Sequence, residues 1–264
     1  MSKPPRFFIT PEQVRDPYIT VTGDDLRHIR TVLRKQPGDL LTLLDGQGRE
    51  YTVRITAIEK AEIDTEIVEQ RTRDLPAVRV TLGQGLPKSD KMDFIVQKAT
   101  ELGVSSLVPL ITERTIVKVK DEEKRIIRWQ KIAREAAMQS GRPDIPTVGE
   151  IMNYRDFLER TPHHPPLARG EHKGGGSDAA AVGGHSLLLF PWEEGTVPVK
   201  KVLRRHLDAK HVVVLIGPEG GFSQAEADAA KEKGFHLVSL GPNILRTETA
   251  AVAVLSMIGY ELQG

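Results

Sequence analysis

Residues 211–226, HVVVLIGPEGGFSQAE, carry an apolar strand into a glycine-bearing turn and then into a signposted helix start. An apolar run without alternation belongs in a sheet covered on both faces, which implies parallel strands with helices on either side. Ser223 and Glu226 have the S-x-x-E spacing of a capping box, so the chain is committed to a helix there. The amides of Gly217, Gly220 and Gly221 then face outward beyond a strand's carboxyl end, where open α/β sheets hold their ligands. A second unit follows: HLVSLG is a strand, Gly241 to Leu245 a loop, and the remainder a helix. That helix is apolar nearly all round, with Ala250, Ala251, Val252, Ala253, Val254, Leu255, Met257 and Ile258, so either its own domain or a second copy of the chain must cover it. A homodimer is the expectation.

The ligand is narrowed by exclusion. Neither G-x-x-x-x-G-K-[ST] nor G-x-G-x-x-G is present, and Glu219 would repel a polyphosphate, so a neutral or cationic ligand fits better. There is no cysteine, which removes disulfides, thiolate metal sites and cysteine nucleophiles together. The histidines are scattered, and the one close pair, His163 and His164, lies in a proline-rich stretch, so no metal is expected. No apolar run approaches the roughly 18 residues of a membrane span, and MSKPPRFFIT lacks a signal-peptide core, which predicts a cytoplasmic protein with no membrane partner.

Upstream, residues 1–74 read as strand: RFFI, then LLTLLDGQGREYTVRI around a glycine turn, then IDTEIVE with period two, together a small barrel. Residues 24–34 interrupt them with a helical pattern that places Leu26, Ile29 and Leu33 on one face and Arg27, Arg30 and Arg34 on the other. Pro76 marks a boundary, and residues 78–264 alternate strand and helix. SDKMDFIVQKATELG is a helix with Met92, Ile95, Val96, Ala99 and Leu102 inward and Gly103 as its stop. Residues 121–140 form another, with Trp129, Ile132, Ala133 and Ala136 along one side. Residues 161–185 are rich in proline and glycine and read as a flexible surface loop. The net charge is only +1, but residues 78–142 hold 13 Lys/Arg against 8 Asp/Glu, an excess of five that serves equally as a solvated helix surface or an RNA footprint.

IGPEGGFS followed by LGPNILRTETA resembles the paired signature of SPOUT methyltransferases of the RsmE type, the 16S rRNA (uracil-N3) methyltransferases. HIRTVLRKQPGD is similar to that family's amino-terminal barrel motif, KSDKMDFIVQKATELGV to its first catalytic-domain helix, and TERTIVK and REAAMQSGR to its later basic blocks. The resemblance implies a PUA-like RNA-binding β-barrel over 1–74 and, over 78–264, an α/β SPOUT trefoil-knot domain with a parallel sheet. It implies S-adenosylmethionine as cofactor and small-subunit ribosomal RNA, naked or in an assembled subunit, as partner. The donor pocket it implies is lined by Leu189 and Pro191, by Gly217, Pro218, Glu219, Gly220 and Gly221, and by Leu240, Gly241, Ile244, Leu245 and Arg246.

Methylation at uracil nitrogen 3 requires proton removal and stabilisation of the charge that develops on the ring. Arg114 and Arg142 are the candidate cations, each weighed against a phosphate contact, and Glu113 and Glu248 are the candidate proton acceptors. Arg6, Arg27, His28, Arg30, Arg34 and Lys88 are the candidate RNA contacts. Two other classes compete: a non-enzymatic RNA-binding protein, which needs only the barrel and basic middle, and another nucleotide-using α/β enzyme, for which phosphate and metal ligands are missing.

Overall fold

The computed structural model describes residues 4–116, 121–161 and 186–263, so the expected loop at 161–185, with His163 and His164, lies outside the described residues apart from Thr161. The chain divides into two compact units, Met1–Leu75 with Arg134–Ile145, and Pro76–Ala133 with Pro146–Gly264.

In the first unit β1 (Arg6–Phe8), β2 (Tyr18–Val21), β3 (Leu40–Leu44), β4 (Arg49–Ile58) and β5 (Ile63–Thr72) form a curled sheet in the order β1-β3-β4-β5-β2. Only β1 and β3 run parallel, and register shifts at Thr52/Val53 and Ile55/Ala57 sharpen the twist of the β4–β5 ribbon. Alternate residues Tyr51, Val53 and Ile55 turn inward onto Phe7, Ile19, Leu41, Leu43 and Ile63. The helical pattern at 24–34 is only partly realised. A turn at Asp24–Arg27 widens into a π-helix over His28–Val32, closed by the Leu33 amide on the His28 carbonyl at 3.0 Å. The wider turn shifts the phase of the apolar stripe: Leu26 and Ile29 are buried as expected, but Leu33 is 37% exposed.

In the second unit the strands are β6 (Arg79–Gly85), β7 (Ser106–Ile111), β8 (Ser186–Pro191), β9 (His211–Ile216) and β10 (His236–Ser239). The helices are α1 (Lys91–Glu101), α2 (Glu122–Ser140), α3 (Tyr154–Arg160), α4 (Val199–Leu203), α5 (Gln224–Glu232) and α6 (Thr247–Leu262). The sheet is parallel throughout, ordered β7-β6-β9-β8-β10, with two-residue strands at its margins. This is the α/β class expected. Val212, Val214 and Ile216 belong to the core beneath α1 and α6, while Val213 and Leu215 belong to the aromatic core with Tyr154, Phe157, Phe190 and Phe222. The unbroken apolar run thus serves two cores by period two, each such burial contributing roughly 1.5–3 kcal/mol.

The division of α2 between the units was not visible in the sequence. From Arg134 onward it belongs to the first unit: Ala137 packs with Phe8 and Leu44, and Arg134 donates to the Phe8 carbonyl and to Asp25, both at 2.6 Å. Gly141, at φ +75°, ends this helix in the left-handed region. Arg6 and Arg73 both donate to its carbonyl, at 3.2 and 3.1 Å.

Candidate functional site

Three strands that lie side by side, β9, β8 and β10, release their carboxyl-terminal loops toward one cavity of about 450 Å3. Pro191 to Glu193 line it after β8, Ile216 to Phe222 after β9, and Ser239 to Thr247 after β10, with Lys91 and Ala250 completing the wall. Most of these positions offer backbone or apolar surface.

The middle loop is fastened from all sides. Ser223 caps α5: its hydroxyl accepts from the Glu226 amide at 3.3 Å, and the Glu226 carboxylate accepts from the Ser223 amide at 2.9 Å. The second oxygen of Glu226 accepts from the Glu113 amide at 2.8 Å, so one buried carboxylate ties the end of β7 to the helix start. Arg114 donates to the Gly220 carbonyl at 2.8 Å. Glu219, in the cavity wall, accepts from the Lys88 amide at 3.1 and 3.2 Å and pairs with Lys91 at 2.9 Å. Burial alone would raise the Glu219 carboxyl, but hydrogen bonds from Lys91, from its own amide and from that of Lys88 outweigh it and hold the group below the usual 4.5. Lys91 is raised in return, chiefly by its hydrogen bond to Glu219 and against its own desolvation. It also stands 3.5 Å from Glu248, so one cation bridges the middle loop and the first turn of α6.

Of the residues expected around the ligand, Pro191, Gly217 to Gly221, Leu240, Gly241 and Ile244 to Arg246 line the cavity, whereas Leu189 is fully buried within β8 and does not. Glu248 sits beside it in α6, tied to Lys91. Arg114 borders it through Gly220, but Glu113 lines a different cavity, of about 930 Å3, between α3 and α5. Arg142 belongs to the first unit, where it is buried and donates to both oxygens of Asp144 at 3.2 and 2.8 Å. Among the RNA candidates Arg27, His28, Arg30, Arg34 and Lys88 are exposed; Arg6 is half-buried, committed to Gly141 and lying 3.9 Å from Glu50. Among the described residues no group of three metal-ligating side chains converges.

Comparison with known proteins decides the family. A model described as RNA methyltransferase domain matches residues 73–259, and one described as RNA methyltransferase PUA domain matches residues 21–68. Over 265 residues the chain is 31% identical to Ribosomal RNA small subunit methyltransferase E of Bacillus subtilis (strain 168), covering 98% of this chain and 97% of that protein. The chain belongs to the ribosomal RNA small subunit methyltransferase E family. It is also 35% identical to the family member of Aquifex aeolicus (strain VF5) over 80% of this chain and 82% of that one. The crystal structure of the Neisseria gonorrhoeae member bound to S-adenosyl methionine superimposes with a TM-score of 0.81 at 32% identity, covering 98% of each chain.

Several residues of this family member's site escaped the sequence reading. Trp192 lines the cavity one position beyond the expected Pro191, and Thr247 one position beyond Arg246. Lys91, at the start of α1, also lines the cavity, and as one lysine in the charged run KSDKMD it carried no local mark of that position. Gln84 carried no signal at all: it follows Arg79 and Thr81 as a further polar residue of β6, yet it is fully buried at 0% exposure.

Proposed function

We propose that the protein transfers a methyl group from S-adenosylmethionine to nitrogen 3 of a uridine in small-subunit (16S) ribosomal RNA. The observation that carries the reading is the cavity built from three neighbouring strand-end loops, rich in backbone groups, whose one lysine is already neutralised by Glu219 and Glu248. Arg246 is the one other cation among the described residues of its wall, so a polyphosphate would find no cation cluster there, whereas a nucleoside bearing a sulfonium needs only amides, carbonyls and apolar contact. The Neisseria gonorrhoeae relative, bound to that same compound, supports the choice. When bound, the donor supplies an electrophilic methyl on positively charged sulfur.

The chain's own residues then have two tasks. Arg114, anchored through one nitrogen on the Gly220 carbonyl and otherwise exposed, is the cation assigned to the uracil oxygens as negative charge grows on the ring. Glu248, beside the cavity in the first turn of α6, is the carboxylate assigned to proton removal, and its bridge to Lys91 keeps it oriented. Arg142, buried against Asp144, and Glu113, lining the other cavity, are assigned no step. The exposed Arg27, His28, Arg30 and Arg34 of the amino-terminal unit are assigned to RNA phosphates. Val252, Ala253 and Met257 are half-covered on α6 and Tyr260 is 82% exposed, which favours a second copy against that helix; sedimentation equilibrium giving a monomer at micromolar concentration would exclude it. A ribosomal RNA substrate makes the cytoplasm the place of action.

The deciding experiment incubates the protein with S-adenosylmethionine and either naked 16S rRNA or isolated small subunits, and reads the nucleosides by mass spectrometry. N3-methyluridine is the expected product. A methyl group on another base or atom would overturn the assignment of the acceptor, and calorimetry without any donor binding would overturn the enzyme.

A further inference from the structure

Gln84 is the second-last residue of β6, fully buried, and lines no part of the cavity. Its Nε2 donates to the Gly85 carbonyl and to Thr247 Oγ1, both at 2.9 Å, and Thr247 Oγ1 donates to the Gly217 carbonyl at 2.6 Å. Both ends of this chain dictate its direction. A carbonyl oxygen only accepts, so Gly85 requires the amide nitrogen of Gln84 to face it, and Gly217 requires the hydroxyl hydrogen of Thr247. The lone pairs of Thr247 are then left for Gln84. In this orientation Gln84 Oε1 accepts no hydrogen bond among the described residues. A side chain present only to fill the core would not leave a buried acceptor bare, since a methionine occupies similar volume without one.

The same strand end presses on the middle loop by a separate contact. A Cβ built on Gly85 would stand 2.5 Å from Pro218 Cδ and 2.7 Å from Pro218 N, so backbone meets backbone there. β6, the middle loop and the start of α6 therefore converge on the Thr247 hydroxyl.

We propose that Gln84 is a positioning residue for the donor pocket. By giving Thr247 one hydrogen it aims the Thr247 hydroxyl at Gly217, and so sets the separation between the loops at 217–221 and 240–246, between which the donor lies. The inference rests on S-adenosylmethionine as the ligand of this cavity. Gln84 touches neither donor nor RNA and acts through Thr247 alone.

The test is calorimetric titration of the full chain with S-adenosylmethionine, alongside thermal unfolding without ligand, for the wild type, Gln84→Met, Thr247→Val, Thr247→Ser and the double variant Gln84→Met/Thr247→Val. Gln84→Met is expected to bind the donor about tenfold more weakly. Its ligand-free Tm is expected to stay within about 3 °C of the wild type. Thr247→Ser, which keeps the hydroxyl, should bind more tightly than Thr247→Val; the double variant should bind no more weakly than Thr247→Val alone, the non-additivity of two groups acting through one bond. Unchanged affinity in Gln84→Met overturns the proposal, and so does a Tm that falls in step with affinity, the mark of a merely structural residue. Should Gln84→Met not fold, equal affinities of Thr247→Val and Thr247→Ser overturn it. A wild type that binds no donor removes the functional reading and this inference together, whereas a binding wild type with unaffected variants removes this inference alone.

Discussion

At Gly85 a single methyl group has nowhere to go, because Pro218 and Gly217 already lie within 3.0 Å of where it would sit. Gly85→Ala should therefore push the middle loop, costing about 2 kcal/mol and weakening donor binding, although Gly85 is not in the cavity wall. Gly221 poses the opposite case. Its φ of +67° is left-handed but nothing lies within 4 Å of a Cβ there, so Gly221→Ala should cost only about 1 kcal/mol of backbone strain. Urea unfolding distinguishes the two, and equal losses would show that close approach is not what Gly85 provides. The Lys91–Glu219 pair gives a second residue-level expectation. A carboxyl held below 4.5 contributes stability that is complete above that pH and is lost as pH falls through its folded value. A lysine raised above 10.5 contributes stability that is complete below that pH and is lost as pH rises through its folded value. The Tm difference between wild type and Glu219→Gln should hold between those limits and shrink in acid; a difference independent of pH would mean the pair does not act as a charge clamp.

The element that organises the site is α5, through its cap. Ser223→Ala removes one acceptor at the helix start and should cost about 1 kcal/mol. Glu226→Ala strips partners from two backbone amides, those of Ser223 and Glu113, and should cost about 3 kcal/mol by denaturant unfolding. Equal costs would mean that the link from β7 to α5 contributes nothing. The S-x-x-E spacing announced the helix start, but not that the glutamate reaches a second element 113 positions away. The helix at 24–34 teaches the converse: periodicity assumed an ordinary turn, and the i→i+5 bond between Leu33 and His28 turned one apolar residue outward.

Across the whole molecule the net charge of +1 conceals a surplus over residues 78–142, and the phosphate contacts proposed for the exposed arginines at 27–34 predict an RNA affinity that depends on salt. Replacing Arg27, Arg30 and Arg34 together by alanine should weaken binding to 16S rRNA without regard to sequence and flatten the log K against log salt slope by about 2. A slope that does not change would place the phosphate contacts elsewhere. Arg6 donates to the Gly141 carbonyl and lies 3.9 Å from Glu50, so a substitution there should lower stability before it lowers RNA affinity.

What the sequence alone determined is what short-range physics controls: an unbroken apolar strand, a glycine turn, a capping box and a helix stop each depend on a few neighbouring residues. Those features were enough to class the fold and to find two of the three loops that meet at the cavity, while the loop after β8 came only from the family resemblance. Tertiary structure alone decided the partners of polar groups. That Glu226 reaches the Glu113 amide, that Glu219 pairs with Lys91, and what Gln84 donates to all depend on atoms brought together from distant segments. A hydrogen bond is satisfied by whichever group lies within about 3 Å, and no local pattern records which one that will be.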